Sequence, residues 1–162
     1  LLHEAADQGR IAGFNAVNDP QCFKERVPLS ITFCEPNIAL VGKRYEELVQ
    51  KGVDFVTGKV SFEGQGRSII KLEDLGVLHI YAERSSGKLL GAEIFAPDGE
   101  HLAHLISWAI SCNLTVHETL ALPFYHPVIE EGLRTAIRDA ARQVEEPPNS
   151  LEVFRCEDSP IR

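Results

Sequence analysis

The sequence predicts an α+β fold, a largely antiparallel sheet of about five strands flanked by helices. Two observations carry this. Residues 31–96 are a succession of short β-prone runs broken by Gly, Pro and Ser-Ser-Gly turn signals, whereas residues 98–144 switch to apolar residues at helical spacing. Both belong to a chain of 162 residues with 44% hydrophobic content, long enough for one well-filled core.

The first segment places apolar residues at 1, 2, 5, 6, 12 and 16, close to helical spacing despite Gly9 and Gly13, and predicts a helix. From Asn18 to Ser30 the chain carries Pro20, Pro28 and mixed charges without periodicity, so it reads as a connector. Lys24-Glu25-Arg26 within it is a solvated charge run. Ile31–Cys34 and Ile38–Val41 are β-prone runs around Glu35-Pro36-Asn37, followed by Gly42 and a helix from Lys43 to Gln50. Val53–Phe62, Ser68–Leu72, Val77–Glu83 and Lys88–Ala96 read as further strands, the last two being the clearest hairpin.

Asp98 and Gly99 introduce a helix with Leu102, Leu105, Ile106, Ala109 and Ile110 on one face. Thr115 is a candidate N-cap, with Glu118 three residues on at the capping-box spacing. The last helix is expected from Pro127 to about Val144. Beyond it two prolines and little pattern predict an extended tail over residues 145–162.

Charge and composition exclude several classes. Sixteen Lys and Arg against 24 Asp and Glu give a net charge of -8, which repels nucleic acid and anionic membrane surfaces. No apolar run approaches the roughly 18 residues of a membrane span, and no basic-then-apolar leader opens the chain. A cytoplasmic location is the expectation. Cys22, Cys34, Cys112 and Cys156 are scattered without a Cys-x-x-Cys pair, so neither a disulfide scaffold nor a zinc site is expected. His101 and His104, with His117 farther on, are weak metal candidates without a nearby carboxylate or Cys ligand set, and no metal is expected. His79 reads as a solvent-face strand residue, His3 as a helix residue, and Trp108 as core or interface packing. The chain has no Met, and residue 1 already lies inside an amphipathic pattern. It reads as a piece of a longer protein.

The stretch from His126 to Arg134 admits two readings. Pro suits the first helical position and carboxylates suit the first turn, so helix-start chemistry alone accounts for Pro127, Glu130 and Glu131. Ile129, Leu133, Ala136, Ile137, Ala140 and Val144 form one apolar stripe, while Glu130, Arg134, Arg138 and Arg142 form a charged ladder at every fourth position. Glu131 lies nearly opposite the stripe, where a charged side chain is ordinarily solvated. On the other reading, His126 projects from the helix start and Glu131 folds back to accept one imidazole N–H. The second ring nitrogen is then free to take or give a proton near neutral pH. No Gly-x-Ser-x-Gly elbow, catalytically spaced Cys or phosphate loop accompanies the pair.

His126-Pro127-Val128-Ile129-Glu130-Glu131 resembles the His-Pro-Thr-Leu-Ser-Glu motif near the C-terminus of the pyridine nucleotide-disulfide oxidoreductases. Glu35-Pro36-Asn37-Ile38-Ala39-Leu40-Val41-Gly42 is similar to the segment that opens the same domain in dihydrolipoamide dehydrogenases. Residues 76–94 resemble the family's central hairpin. Phe124-Tyr125 and Glu130 depart from the usual residues, which bears on the pocket lip and the choice of disulfide. The resemblance covers roughly residues 27–144 and implies the FAD/NAD-linked reductase dimerisation domain. Residues 1–26 look like the helix that ends the FAD domain plus a connector.

What the resemblance implies is an oxidoreductase that works as a homodimer, with FAD and NAD(P) in the full-length enzyme and none bound to this piece. His126, oriented by Glu131, would serve the flavin and redox disulfide of the partner subunit, with Leu2, His126 and Pro127 near the flavin. Lipoamide is the first-choice disulfide, and the piece alone should be inactive. The alternative is a dimerisation module of a relative without disulfide chemistry, such as a transhydrogenase or another NAD(P)H oxidoreductase.

Overall fold

The hairpin expected over residues 77–96 is the middle of the sheet in a computed structural model that describes residues 2–23 and 25–145. Its strands, β4 (Val77–Glu83) and β5 (Leu89–Ala96), pair antiparallel. On one side β5 pairs with β2 (Asn37–Gly42), which pairs with β1 (Leu29–Thr32); on the other, β4 pairs with β3 (Phe55–Ser61). The five strands run β1-β2-β5-β4-β3, every neighbour antiparallel.

Side chains alternate across a strand, so one set of residues turns to each face. Val56, Leu78, Ile80, Ala82, Ala92 and Ile94 turn to one face and are buried there. Two helices supply the covering layer: α4 (Gly99–Ser111) lies over β2 and β5, and α6 (Glu130–Ala141) over β3 and β4. The apolar stripe of the last helix lies where its spacing required. Ile129, Leu133, Ala136, Ile137 and Ala140 are all buried against the sheet, with Val144 partly so. Contact there is close because β3 carries Gly58, where a Cβ would fall 2.0 Å from the Ala136 carbonyl oxygen.

The remaining helices are α1 (Leu2–Val17), α2 (Tyr45–Gln50), α3 (Gly66–Lys71) and α5 (Val116–Leu120). Thr115 caps α5 in the expected capping box with Glu118, each side chain bonding the other's backbone N–H. The predicted strand over Ser68–Leu72 is instead helix α3. Its β-prone run is overridden at both ends: the Gln65 side chain accepts the Ser68 N–H at 2.7 Å, and Leu72 closes the turn in the left-handed region at φ 59°. Ser68 turns inward while Ile69 and Ile70 stay exposed, a helical rather than an alternating pattern.

The last helix also differs at its start. Pro127 does not open it; the His126–Pro127 bond is cis and α6 begins three residues later at Glu130. Arg142 ends it before Val144. On α4, Leu102, Ala103, Ile106 and Ala109 are buried, whereas Leu105 and Trp108 face outward, which removes Trp108 from the core. The opposite sheet face carries polar partners among aromatics: Tyr81 is fully buried beside Tyr45 and Phe55, and its hydroxyl donates to Glu93. The expected tail lies outside the described residues, apart from Glu145, whose N–H donates to the Arg84 carbonyl.

Candidate functional site: the His126 turn at the head of helix α6

The segment between α5 and α6 packs Ile129 into the core and leaves His126 projecting, its side chain 81% exposed. Helix α6 then places Glu131 in its first turn, where the ring can reach it. His126 Nδ1 stands 3.0 Å from Oε1 and 3.1 Å from Oε2 of Glu131. Glu131 Oε2 also accepts the Val128 N–H at 3.2 Å, so the carboxylate bridges the ring and the turn that carries it. Its side chain is 31% exposed and folded back onto the turn, which departs from the solvated surface position that its place opposite the stripe suggested.

These bonds determine its charge. The His126 hydrogen bond, reinforced by the Val128 N–H and opposed by burial, holds the Glu131 carboxyl below the usual carboxylate range. An ionised carboxylate only accepts, so Nδ1 donates and carries the proton. In the neutral ring Nε2 then keeps its lone pair and faces solvent, able to accept a proton and return it. The turn is braced twice more. Gln65 Nε2 donates to the Val128 carbonyl at 2.9 Å, and Gly132 lies so close to buried Phe62 that a Cβ would fall 2.6 Å from its ring.

Beside the turn lies an apolar groove of about 430 Å³, bounded by α4, α6 and residues 122–125. Leu105, Trp108, Leu122 and Tyr125 line it, and Trp108 is 63% exposed. Arg134 sits with its guanidinium carbon 5.6 Å from the centre of the Phe124 ring. Among the described residues it makes no salt bridge with Glu130, so that rung of the charged ladder is not formed.

The other sequence candidates are dispersed. Leu2 lies in the first turn of α1 and is exposed. Pro127 is in the turn itself. His104 Nδ1 pairs with the Glu100 carbonyl oxygen and His101 with the Glu100 carboxylate, and among the described residues no three His, Cys, Asp or Glu side chains converge as a metal site. His79 is not a free solvent-face residue; it is half-buried between Lys59 and Glu93, and burial pushes its pKa down. Cys22, Cys34 and Cys112 are free thiols. No described helix is long and apolar enough to cross a membrane. Gln65 and the Tyr81–Glu93 pair were not found from sequence, since neither has a local signature.

Comparison with known proteins identifies the family to which this fold belongs. The chain is 30% identical over 149 residues to a dihydrolipoyl dehydrogenase of Rhizobium etli, covering 89% of this chain and 30% of that one. It is 27% identical over 140 residues to the dihydrolipoyl dehydrogenase of Halobacterium salinarum, covering 86% and 30%. The chain thus spans about 30% of the length of these relatives. Among solved structures, LpdA from Mycobacterium tuberculosis superposes with a TM-score of 0.74 at 26% identity, over 85% of this chain and 30% of that one. The HOCl-induced flavoprotein disulfide reductase RclA from Escherichia coli, as its Cu(II) complex, gives 0.75 at 17% identity over 85% and 32%, a likeness of fold. The sequence over residues 28–137, which holds the whole sheet, α4, α5, the His126 turn and most of α6, matches the dimerisation domain of the pyridine nucleotide-disulphide oxidoreductases, and the chain belongs to that family.

Proposed function

We propose that this chain is the dimer-forming part of a flavoprotein disulfide reductase, in which His126 and Glu131 form the acid/base pair presented to the partner subunit. The observation that supports this most is the His126 Nδ1–Glu131 bond, which commits one ring nitrogen and leaves Nε2 in solvent. The preferred reaction is NAD-dependent oxidation of a dihydrolipoyl dithiol, since relatives at 27–30% identity carry the name dihydrolipoyl dehydrogenase. The working enzyme would be a cytoplasmic homodimer.

The chain's own residues divide the work as follows. Nε2 takes the proton of a substrate or redox-centre thiol, leaving a thiolate, which is the nucleophilic form of sulfur. Glu131 fixes the ring's tautomer and stabilises the imidazolium until Nε2 gives the proton back. Among the described residues no Gly-x-Gly-x-x-Gly turn, the usual pyrophosphate cradle of a dinucleotide, opens a helix. When bound elsewhere in the full-length enzyme, FAD supplies the acceptor for the two thiol electrons. On this reading residues 1–26 belong to the neighbouring FAD domain, residues 27–144 are the dimerisation domain and residues 145–162 its tail. Leu2 and Pro127 then lie in the flavin's vicinity, and the piece alone is inactive. A second copy covers the groove beside Trp108.

His126→Ala in the full-length enzyme is expected to lower turnover with the disulfide substrate roughly 10²–10⁴-fold, the usual scale for losing an acid/base group. Turnover equal to wild type refutes the assignment.

A further inference from the structure

Gln65 lies on the loop between β3 and α3, far in sequence from the His126 turn, yet its side-chain amide bonds in two directions. Oε1 accepts the Ser68 N–H at 2.7 Å and caps α3, while Nε2 donates to the Val128 carbonyl at 2.9 Å. The backbone beneath Gln65 is held as well: its N–H donates to the Phe62 carbonyl at 3.0 Å, and the Phe62 N–H to the Gly76 carbonyl at 2.9 Å. Phe62 is fully buried and in close contact with Gly132, the residue after Glu131. Val128 itself has both backbone groups engaged, its carbonyl by Gln65 and its N–H by Glu131. One peptide segment therefore links the α3 cap to the carboxylate that holds His126.

We infer that Gln65 is a positioning residue for the His126–Glu131 pair, acting through the Val128 backbone. The inference rests on the acid/base reading of that pair. An amide suits the task because it offers an acceptor and a donor at opposite corners of one planar group, and a shorter capping side chain offers only the first. With the Val128 carbonyl held, its N–H is aimed at Glu131 Oε2, and the carboxylate keeps both oxygens within reach of Nδ1. Without the tie, the turn between His126 and Ile129 loses its only side-chain anchor to the sheet side among the hydrogen bonds of the described residues.

The test separates capping from positioning. Gln65→Ser keeps a good N-cap and adds no charge, but cannot reach Val128. The readout is the tautomer of the neutral His126 ring, taken from a proton–nitrogen correlation spectrum of the labelled chain above the ring's titration. Wild type is expected to be mainly the Nδ1–H form. In Gln65→Ser the ratio of Nδ1–H to Nε2–H should fall about fivefold, the equilibrium weight of one ordinary hydrogen bond. A role confined to α3 would leave that ratio unchanged, and an unchanged ratio overturns the inference. If wild type is already mainly the Nε2–H form, the His126–Glu131 reading itself fails, which is a different result. Should Gln65→Ser not fold, wild type still decides: slow exchange of the Gln65 side-chain amide with a nuclear Overhauser contact to Val128 supports the tie, and rapid exchange without that contact overturns it.

Discussion

Gly58→Ala tests most severely how the α6 helix and the sheet are held. The added Cβ would lie 2.0 Å from the Ala136 carbonyl oxygen, 2.7 Å from the Ala140 nitrogen and 2.8 Å from the Ala140 Cβ. Favourable contact needs about 3.5 Å, so the helix or the strand has to give way by roughly 1.5 Å at the Ala136 oxygen and somewhat under about 1 Å at Ala140. Neither can do so cheaply, because the obstructing atoms are backbone and Gly58 lies mid-strand opposite Ile80. A gap of roughly 0.5–1 Å forfeits a quarter to a half of the dispersion attraction across it, and here the gap runs under Leu133, Ala136 and Ile137. Overpacking costs about 1–3 kcal/mol where side chains can shift. With backbone as the obstacle, the expected loss is about 3 kcal/mol or more. The assay is the urea midpoint of the variant against Gly66→Ala, a position with nothing within 4 Å of the added methyl. Gly66→Ala should be neutral or stabilise by up to about 1 kcal/mol. A Gly58→Ala midpoint matching wild type would refute the close α6–β3 contact.

Two further outcomes concern the opposite sheet face. Tyr81→Phe removes the hydroxyl that donates to Glu93, leaving a partly buried carboxylate without that donor; the expected cost is about 1–3 kcal/mol by chemical denaturation, and an unaltered midpoint would mean that the hydroxyl contributes nothing. His79 has its folded-state pKa lowered by burial and then by Lys59, with Glu93 opposing. The unfolded chain therefore binds the proton more readily just below about pH 6.5, and stability falls as the pH drops through that window. His79→Gln should flatten this slope, and a slope equal to wild type would assign it to other groups.

Elements with strong periodicity were legible in the sequence, and those decided by a distant partner were not. The 77–96 hairpin and the Ile129–Ala140 stripe each satisfy one period over a full element, and both fold as their pattern requires. Ser68–Leu72 carries β-prone residues, yet the choice was made by the Gln65 cap and by Leu72 accepting a left-handed turn. Pro127 fits a helix start by composition, whereas the turn it belongs to places the start at Glu130. At the site, spacing allowed Glu131 to meet His126 without requiring it. What brings them together is the Val128 N–H and the Gln65 tie, a contact across 63 residues that no local pattern displays.

Under the proposed function His126 of one copy serves a redox centre on another, and mixed dimers put that sharing to the test. A full-length His126→Ala enzyme should keep only about 10⁻⁴–10⁻² of wild-type turnover, and a copy with its redox disulfide disabled should be inactive, when each is assayed alone. Unfolded together and reassembled, they should recover activity, because each mixed dimer contains one site with an intact His126 from one copy and an intact disulfide from the other. Absence of recovery, with mixed dimers demonstrably formed, would contradict a site shared between subunits.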